Sequence, residues 1–181
     1  MVNLPNLLTI GRILLIPLLV IFLMDGRTEA AWLVFVAAAA TDALDGLIAR
    51  VWNQKTTLGA YIDPIADKLL LGTSYVTLAV LHRLPGWLAV IVLSRDLVIL
   101  IGVGLLLLFD KPLEIRPSLD SKLTTLLQIL TVCYVLGQDH LPALQPLALP
   151  LILATAASTV VSGFHYLAIG MRIFENGRGE E

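Results

Sequence analysis

Long apolar runs separated by short polar breaks recur from one end of this chain to the other. The pattern predicts six helical stretches, 7–24, 31–50, 65–82, 86–109, 119–137 and 147–170. Each approaches the roughly 20 apolar residues that a helix needs to cross a bilayer. The breaks between them carry turn and breaker residues: DGRTE (25–29), HRLPG (82–86), DKPLEIRPS (110–118) and GQDHLP (137–142). Inside a bilayer every backbone polar group needs an internal partner, so helices are the expected form. The expectation is an all-α integral membrane protein with six transmembrane helices. Residues 1–181 read as a single transmembrane domain, without linker, low-complexity tail or internal repeat.

Composition supports that reading. Hydrophobic residues make up 57% of the chain and charged residues 14%, against about 25% charged in an ordinary soluble domain. Mean hydropathy is +0.87. So few charges do not cover a water-facing surface. The net charge of −2 speaks against a nucleic-acid partner and an acidic tail, while the apolar composition makes a lipid bilayer the expected surroundings. The lone Cys133 sits in an apolar run and reads as filler. The run from Leu14 to Met24 is followed by no small-residue cleavage site and preceded by no basic cluster, so a cleaved signal is not expected.

Loop charges suggest an orientation. With the N-terminus in the cytoplasm, that side carries Arg50, Lys55, Lys68, Lys111, Arg116, Lys122, Arg172 and Arg178, and the other only Arg27 and Arg83. Basic residues favour the cytoplasmic side. The expected location is a bacterial inner membrane, with the aspartate-rich region facing the cytoplasm.

That region is DALDGLIAR (42–50) followed by GAYIDPIADK (59–68). Asp42 and Asp45 are i,i+3 on the second predicted helix, and Asp63 and Asp67 are i,i+4 near the start of the third. A chain reversal between the two lets both pairs face each other. Four carboxylates so close repel unless protonated or compensated by a cation. Their hard oxygens suit Mg²⁺, Mn²⁺ or Ca²⁺, and two such ions suit displacement at phosphorus. Gly46 and Gly59 would let a bulky ligand approach the backbone. The bland alternative makes these aspartates helix caps facing interfacial water, with Asp63 before Pro64 as the best case. An ion-coupled transporter is a further alternative, but such folds often show inverted repeats and broken midplane helices, and no repeat is visible.

The spacing Asp42-x2-Asp45-Gly46-x2-Ala49-Arg50-x8-Gly59-x3-Asp63-x3-Asp67 is similar, without a gap, to the signature of the CDP-alcohol phosphatidyltransferase family. The resemblance runs from NLPNLLTIGR to the last predicted helix. It implies that family's six-helix membrane fold and transfer of a phosphatidyl group from CDP-diacylglycerol to an alcohol, with release of CMP. It implies two divalent metal ions, Mg²⁺ or Mn²⁺, on Asp42, Asp45, Asp63 and Asp67, with Asp67 also as the base for the acceptor hydroxyl. Gly46, Ala49 and Gly59 would line the cytidine site, and Arg50 would support the donor. Asn6, Thr9 and Arg12 resemble the stretch that bounds the nucleotide. A homodimer is also implied.

Two later stretches bear on the acceptor. LSRDLVI (93–99) places Arg95 and Asp96 inside an apolar helix, where charge is costly unless paired or ligand-bound. Its Ser-Arg-Asp resembles the cardiolipin synthases of this family, where glycerophosphate-using enzymes more often show Arg-Glu. In RPSLDSKLTTLLQ (116–128), those enzymes carry Gly-Lys-x-Lys-Thr, whereas here Ser121 replaces the glycine and Thr124 the second lysine. One lysine fewer fits the single charge of a phosphodiester better than a phosphomonoester. The expectation is therefore cardiolipin synthesis from phosphatidylglycerol, with phosphatidylglycerophosphate synthesis from glycerol 3-phosphate as the alternative. Arg95, Arg116, Ser118, Ser121 and Lys122 are the expected acceptor-binding residues.

Overall fold

The computed structural model describes the backbone of residues 4–51, 57–108, 119–139 and 142–176, and side chains at 9–41, 65–106, 108, 120–139 and 144–173. All regular structure within them is helical. In chain order the α-helices are α1 (Leu4–Met24), α2 (Thr28–Val51), α3 (Thr57–Val80), α4 (Gly86–Leu108), α5 (Leu119–Gly137) and α6 (Ala148–Asn176), the last preceded by a 3₁₀ turn at Pro142–Leu147. Each apolar run has become one helix.

Two helices end by the same device. Gly26 follows α1 with φ of 71°, and the Arg27 N–H donates to the Phe22 carbonyl at 2.8 Å. His82 follows α3 with φ of 57°, and the Arg83 N–H donates to the Leu78 carbonyl at 2.9 Å. A left-handed residue just past the helix lets the chain turn back and satisfies carbonyls that the helix leaves open.

Six helices do not make six membrane spans. Among the described residues only Gly86–Leu106 and Leu144–Ile173 are long and apolar enough to cross a bilayer, and the expectation of six transmembrane helices is corrected to these two candidates. The physical reason is charge. Within the described residues, Thr9–Met24 and Thr28–Thr41 are shorter apolar helices. Arg12 interrupts α1, the sequence of α2 ends in Asp42, Asp45 and Arg50, and α3 contains Asp63, Asp67 and Lys68. At 19 residues α5 is short, with Asp120 and Lys122 near its start. Apolar side chains nonetheless face outward on every helix, among them Leu14, Leu33, Val80, Leu97, Leu126 and Val161. A surface of that kind belongs against lipid rather than water.

The helices α2 and α3 both pack on α1, α6 packs on α4 and α5, and α3 joins the halves through α4. Leu19, Phe35, Tyr75, Leu78, Leu88 and Leu136 form the buried centre. Between α5 and α6 the interface is polar. Thr131 and Thr155 share a hydroxyl hydrogen bond of 2.7 Å, the Gln128 amide donates to Thr159 at 3.3 Å, and Thr159 donates to the Thr155 carbonyl at 2.6 Å. In lipid, apolar burial draws helices together only weakly, so such hydrogen bonds and close packing carry more of the association.

Candidate functional site

The candidate site starts at two consecutive residues of α3. Asp67 reaches α1, where its Oδ1 accepts from Nη1 of Arg12, and that arginine side chain is completely buried. Lys68 turns the other way and places its Nζ 2.8 Å from Oδ1 of Asp96 on α4. Neighbours on a helix point about 100° apart, so adjacent residues can serve partners on opposite sides. Lys68 Nζ makes a charge contact with Asp96, but among the described residues it has no aligned hydrogen bond.

Arg95 completes the cluster. Its Nη1 donates to Asp96 at 2.7 Å, and its Nη2 donates to Ser121 on α5 at 2.7 Å and to Ser162 on α6 at 3.0 Å. The guanidinium lies 5.8 Å from the ring centre of Tyr166. Arg95 is 8% exposed, and its Nε is buried with no hydrogen-bond partner among the described residues. A buried cation with an unused donor is costly to keep unless an acceptor joins it.

These groups wall a cavity of about 490 Å³. Asp67, Lys68, Arg95 and Asp96 supply charge, and Ser121, Thr125 and Gln128 line one face of α5 at i, i+4 and i+7. Tyr75 donates its hydroxyl to the Gln128 carbonyl at 3.2 Å, which ties this face to α3. The cavity therefore offers two carboxylates, two cations and neutral hydrogen-bonding groups in one space. That is a suitable place for a phosphorylated alcohol whose hydroxyl must approach a base.

The sequence-derived site residues fall into three groups. Arg12, Asp67, Arg95 and Ser121 come together around the cavity or its ion pairs. Thr9 is buried one turn before Arg12, and Lys122 is exposed outside the cavity wall. The side chains of Asn6, Asp42, Asp45, Gly46, Ala49, Arg50, Gly59 and Asp63 lie outside the described residues, as do Arg116 and Ser118 altogether. Their helices are described, however. With α2 running to Val51 and α3 starting at Thr57, Asp42, Asp45 and Asp63 are interior helical positions and not N-caps.

The chemistry of the donor set fits a hard divalent ion: all four motif positions carry carboxylates, on two helices that flank α1. Among the described residues there is no group of three or more metal-ligating side chains.

Sequence reasoning missed Lys68, Thr125, Gln128, Ser162 and Tyr166 as parts of the site, and singled out Asp96 beside Arg95 without giving it a role. The spacing of Ser121, Thr125 and Gln128 was a usable signal. Tyr166 and Ser162 meet the cavity only through tertiary packing. Thr124 was misplaced: it is fully buried and donates to the Asp120 and Ser158 carbonyls at 2.8 and 3.1 Å, toward α6 and away from the cavity.

Residues 2–163 match the family model described as CDP-alcohol phosphatidyltransferase. A probable phosphatidylglycerophosphate synthase of Mycobacterium tuberculosis is 37% identical over 180 residues, covering 94% of this chain and 82% of that protein. A CDP-diacylglycerol--glycerol-3-phosphate 3-phosphatidyltransferase of Bacillus subtilis is 32% identical, covering 93% of this chain and 95% of its own length. A probable cardiolipin synthase (CMP-forming) of Drosophila melanogaster is 35% identical, covering 87% of this chain but 56% of that protein.

Proposed function

Because the chain belongs to the CDP-alcohol phosphatidyltransferase family, we propose that it moves the phosphatidyl group of CDP-diacylglycerol to glycerol 3-phosphate, forming phosphatidylglycerophosphate and CMP. The observation that carries this acceptor is the cavity that joins Asp67 to two cations, Lys68 and Arg95, with the Arg95 Nε unused. A phosphomonoester near −2 is matched by two nearby cations better than by one.

This departs from the cardiolipin reading of the sequence, which rested on Ser94-Arg95-Asp96 and on the serine and threonine at 121 and 124. Thr124 faces α6, so a lysine exchanged for threonine there takes no charge from the cavity wall. Relatives matched over more than four fifths of their own length, in Mycobacterium tuberculosis and Bacillus subtilis, are named for phosphatidylglycerophosphate synthesis and for transfer to glycerol 3-phosphate, whereas the probable cardiolipin synthase of Drosophila melanogaster is matched over 56% of its length. Phosphatidylglycerol remains a second reading on one observation. Ser121, where glycerophosphate users have glycine, accepts from Arg95 and so occupies one of its donors.

The reaction needs both substrates held in line. The acceptor hydroxyl oxygen attacks the phosphorus that bears diacylglycerol, its proton passes to the Asp67 carboxylate, and the bond from that phosphorus to the CMP oxygen breaks. Arg12 fixes Asp67 from beneath, so its carboxylate has a set position in the cavity. Lys68 and Arg95 hold the acceptor phosphate, and Asp96 holds the two cations in place. Asp42, Asp45, Asp63 and Asp67 would hold two Mg²⁺ or Mn²⁺ ions, which supply neutralising charge for the diphosphate and for departing CMP. Basic residues near this end of the bundle favour a cytoplasmic location for it, on the side where glycerol 3-phosphate is soluble.

The test is direct. Purified protein is given CDP-diacylglycerol, Mg²⁺ or Mn²⁺, and one acceptor at a time, and the lipid product is identified by mass. Phosphatidylglycerophosphate from glycerol 3-phosphate is the expected product. Cardiolipin from phosphatidylglycerol, with nothing from glycerol 3-phosphate, would overturn the acceptor while leaving the transferase standing.

A further inference from the structure

One exposed pair joins α5 to α6 beside the charged cavity. His165 on α6 donates from Nδ1 to Oδ2 of Asp120 on α5 at 2.7 Å, with the two side chains 46% and 31% exposed. Each partner is the chain neighbour of a residue that lines the cavity: Asp120 precedes Ser121, and His165 precedes Tyr166. The same two helices are also joined through Arg95, whose Nη2 donates to both Ser121 and Ser162. Farther along, Thr124 donates to the Ser158 carbonyl at 3.1 Å and Gln128 to Thr159 at 3.3 Å. Among the described residues His165–Asp120 is the tie nearest the start of α5. We propose that His165 and Asp120 are positioning residues, which hold α5 against α6 while the acceptor phosphate draws Arg95 away from Ser121 and Ser162.

The guanidinium explains why such a tie is needed. Its donors stand in a fixed fork. Nη2 is spent on two serines, Nη1 serves Asp96, and Nε has no hydrogen-bond partner among the described residues. A phosphate is held best by two parallel N–H groups. One seated on Nε therefore also draws on an Nη and competes with the groups already there. Each serine released in that exchange is an Arg95-mediated tie lost between α5 and α6. The bond between His165 and Asp120 runs directly from one helix to the other and survives it. It keeps Ser121 and Thr125 at a fixed distance from Tyr166 while the arginine changes partners. An exposed ion pair adds little to global stability, so this one sets a local spacing and does not hold the fold together.

This role presupposes the proposed function in one respect: Arg95 receives the acceptor phosphate. His165→Phe keeps a ring beside Tyr166 and removes the donor, and His165→Asn returns an amide N–H near the place of Nδ1. Asp139→Asn is the control, an exposed ion pair of the same kind at the other end of the bundle. CMP release gives the KM for CDP-diacylglycerol and for whichever of glycerol 3-phosphate or phosphatidylglycerol supports turnover, since both carry a phosphate. The acceptor KM should rise about fivefold in His165→Phe, the ceiling for an exposed pair, and return to within about twofold in His165→Asn. The kcat and the CDP-diacylglycerol KM should not move in either variant, nor either KM in Asp139→Asn. An unchanged acceptor KM in His165→Phe, an equal rise in both KM values, the same rise in Asp139→Asn, or no rescue by asparagine would overturn the proposal. Arg95→Ala, measured alongside, separates the two ways of failing. If its acceptor KM rises and that of His165→Phe does not, the positioning pair alone is refuted. If neither rises, the reading of Arg95 as the phosphate's partner is refuted with it.

Discussion

The two ends of this bundle use the same kinds of charged side chain in opposite ways. At one end Arg12, Asp67, Lys68, Arg95 and Asp96 converge from α1, α3 and α4, and Arg12 and Arg95 are buried. At the other, Arg83 and Asp139 meet at 3.1 Å with side chains 31% and 50% exposed. An exposed pair gains little and costs little. Buried ions lose several kcal/mol of hydration each and recover it only through good geometry. A helical bundle of leucine and valine has no structural need for such a cluster, so its presence makes that end the candidate site. The substitutions that follow test that contrast, beginning with the end where the largest loss is expected.

Asp67→Asn should produce the greatest effect. Amide for carboxylate removes the proton acceptor while keeping shape, and loss of a positioned general base lowers rates by about 10²–10⁴-fold. It also leaves Arg12 buried beside a neutral group. Thermal unfolding should therefore shift down together with CMP release. CMP release within tenfold of the unmodified protein would remove Asp67 from its assigned role and weaken the distinction between the two ends.

Arg95→Ala comes next. Hydrogen bonds to a charged group are worth about 1.5–3 kcal/mol, so the KM for glycerol 3-phosphate should rise by roughly 10–150-fold. The KM for CDP-diacylglycerol should move little, which separates acceptor binding from general damage. The variant also frees Asp96, Ser121 and Ser162 from a shared partner. An equal rise in both KM values would mean that Arg95 braces the helices and does not contact the acceptor.

Much of this architecture could be read from the chain, and the failures have identifiable causes. Apolar runs located all six helices, because a helix in lipid must be apolar along most of its length. The start of α3 was placed eight residues late, at 65 instead of Thr57, because GAYIDPIADK looks polar although the backbone stays helical through it. The number of spans was overstated for a related reason: windows averaged over charges such as Arg12 and Asp67 still look apolar. Motif spacing singled out Asp67 and Arg95, since a charge inside an apolar helix is conspicuous in one dimension. Position 124 was taken to bear on the acceptor's charge because sequence proximity to Ser121 does not say which side of α5 it occupies. Three residues along a helix displace it toward α6, whereas Thr125 stays with Ser121. Tyr166 joins the site across more than 40 positions of chain from Ser121, a distance that no local pattern encodes.

Asp139→Asn should have the smallest effect, and its smallness is informative. The residue pairs with Arg83 across the end of the bundle, linking the turn after α3 to the turn after α5. Both partners keep water contact, so the expected stability loss is below about 1 kcal/mol. Added salt should shrink it further, because exposed charges are screened within about 10 Å at 0.1 M ionic strength. CMP release should stay within about twofold, since neither Arg83 nor Asp139 lines the charged cavity. A tenfold loss of CMP release with unchanged thermal unfolding would show that the turn after α3 controls the position of Asp67 and Lys68 along the same helix. In that event the two ends would be coupled through α3, and the exposed pair would belong to the working machinery despite its exposure.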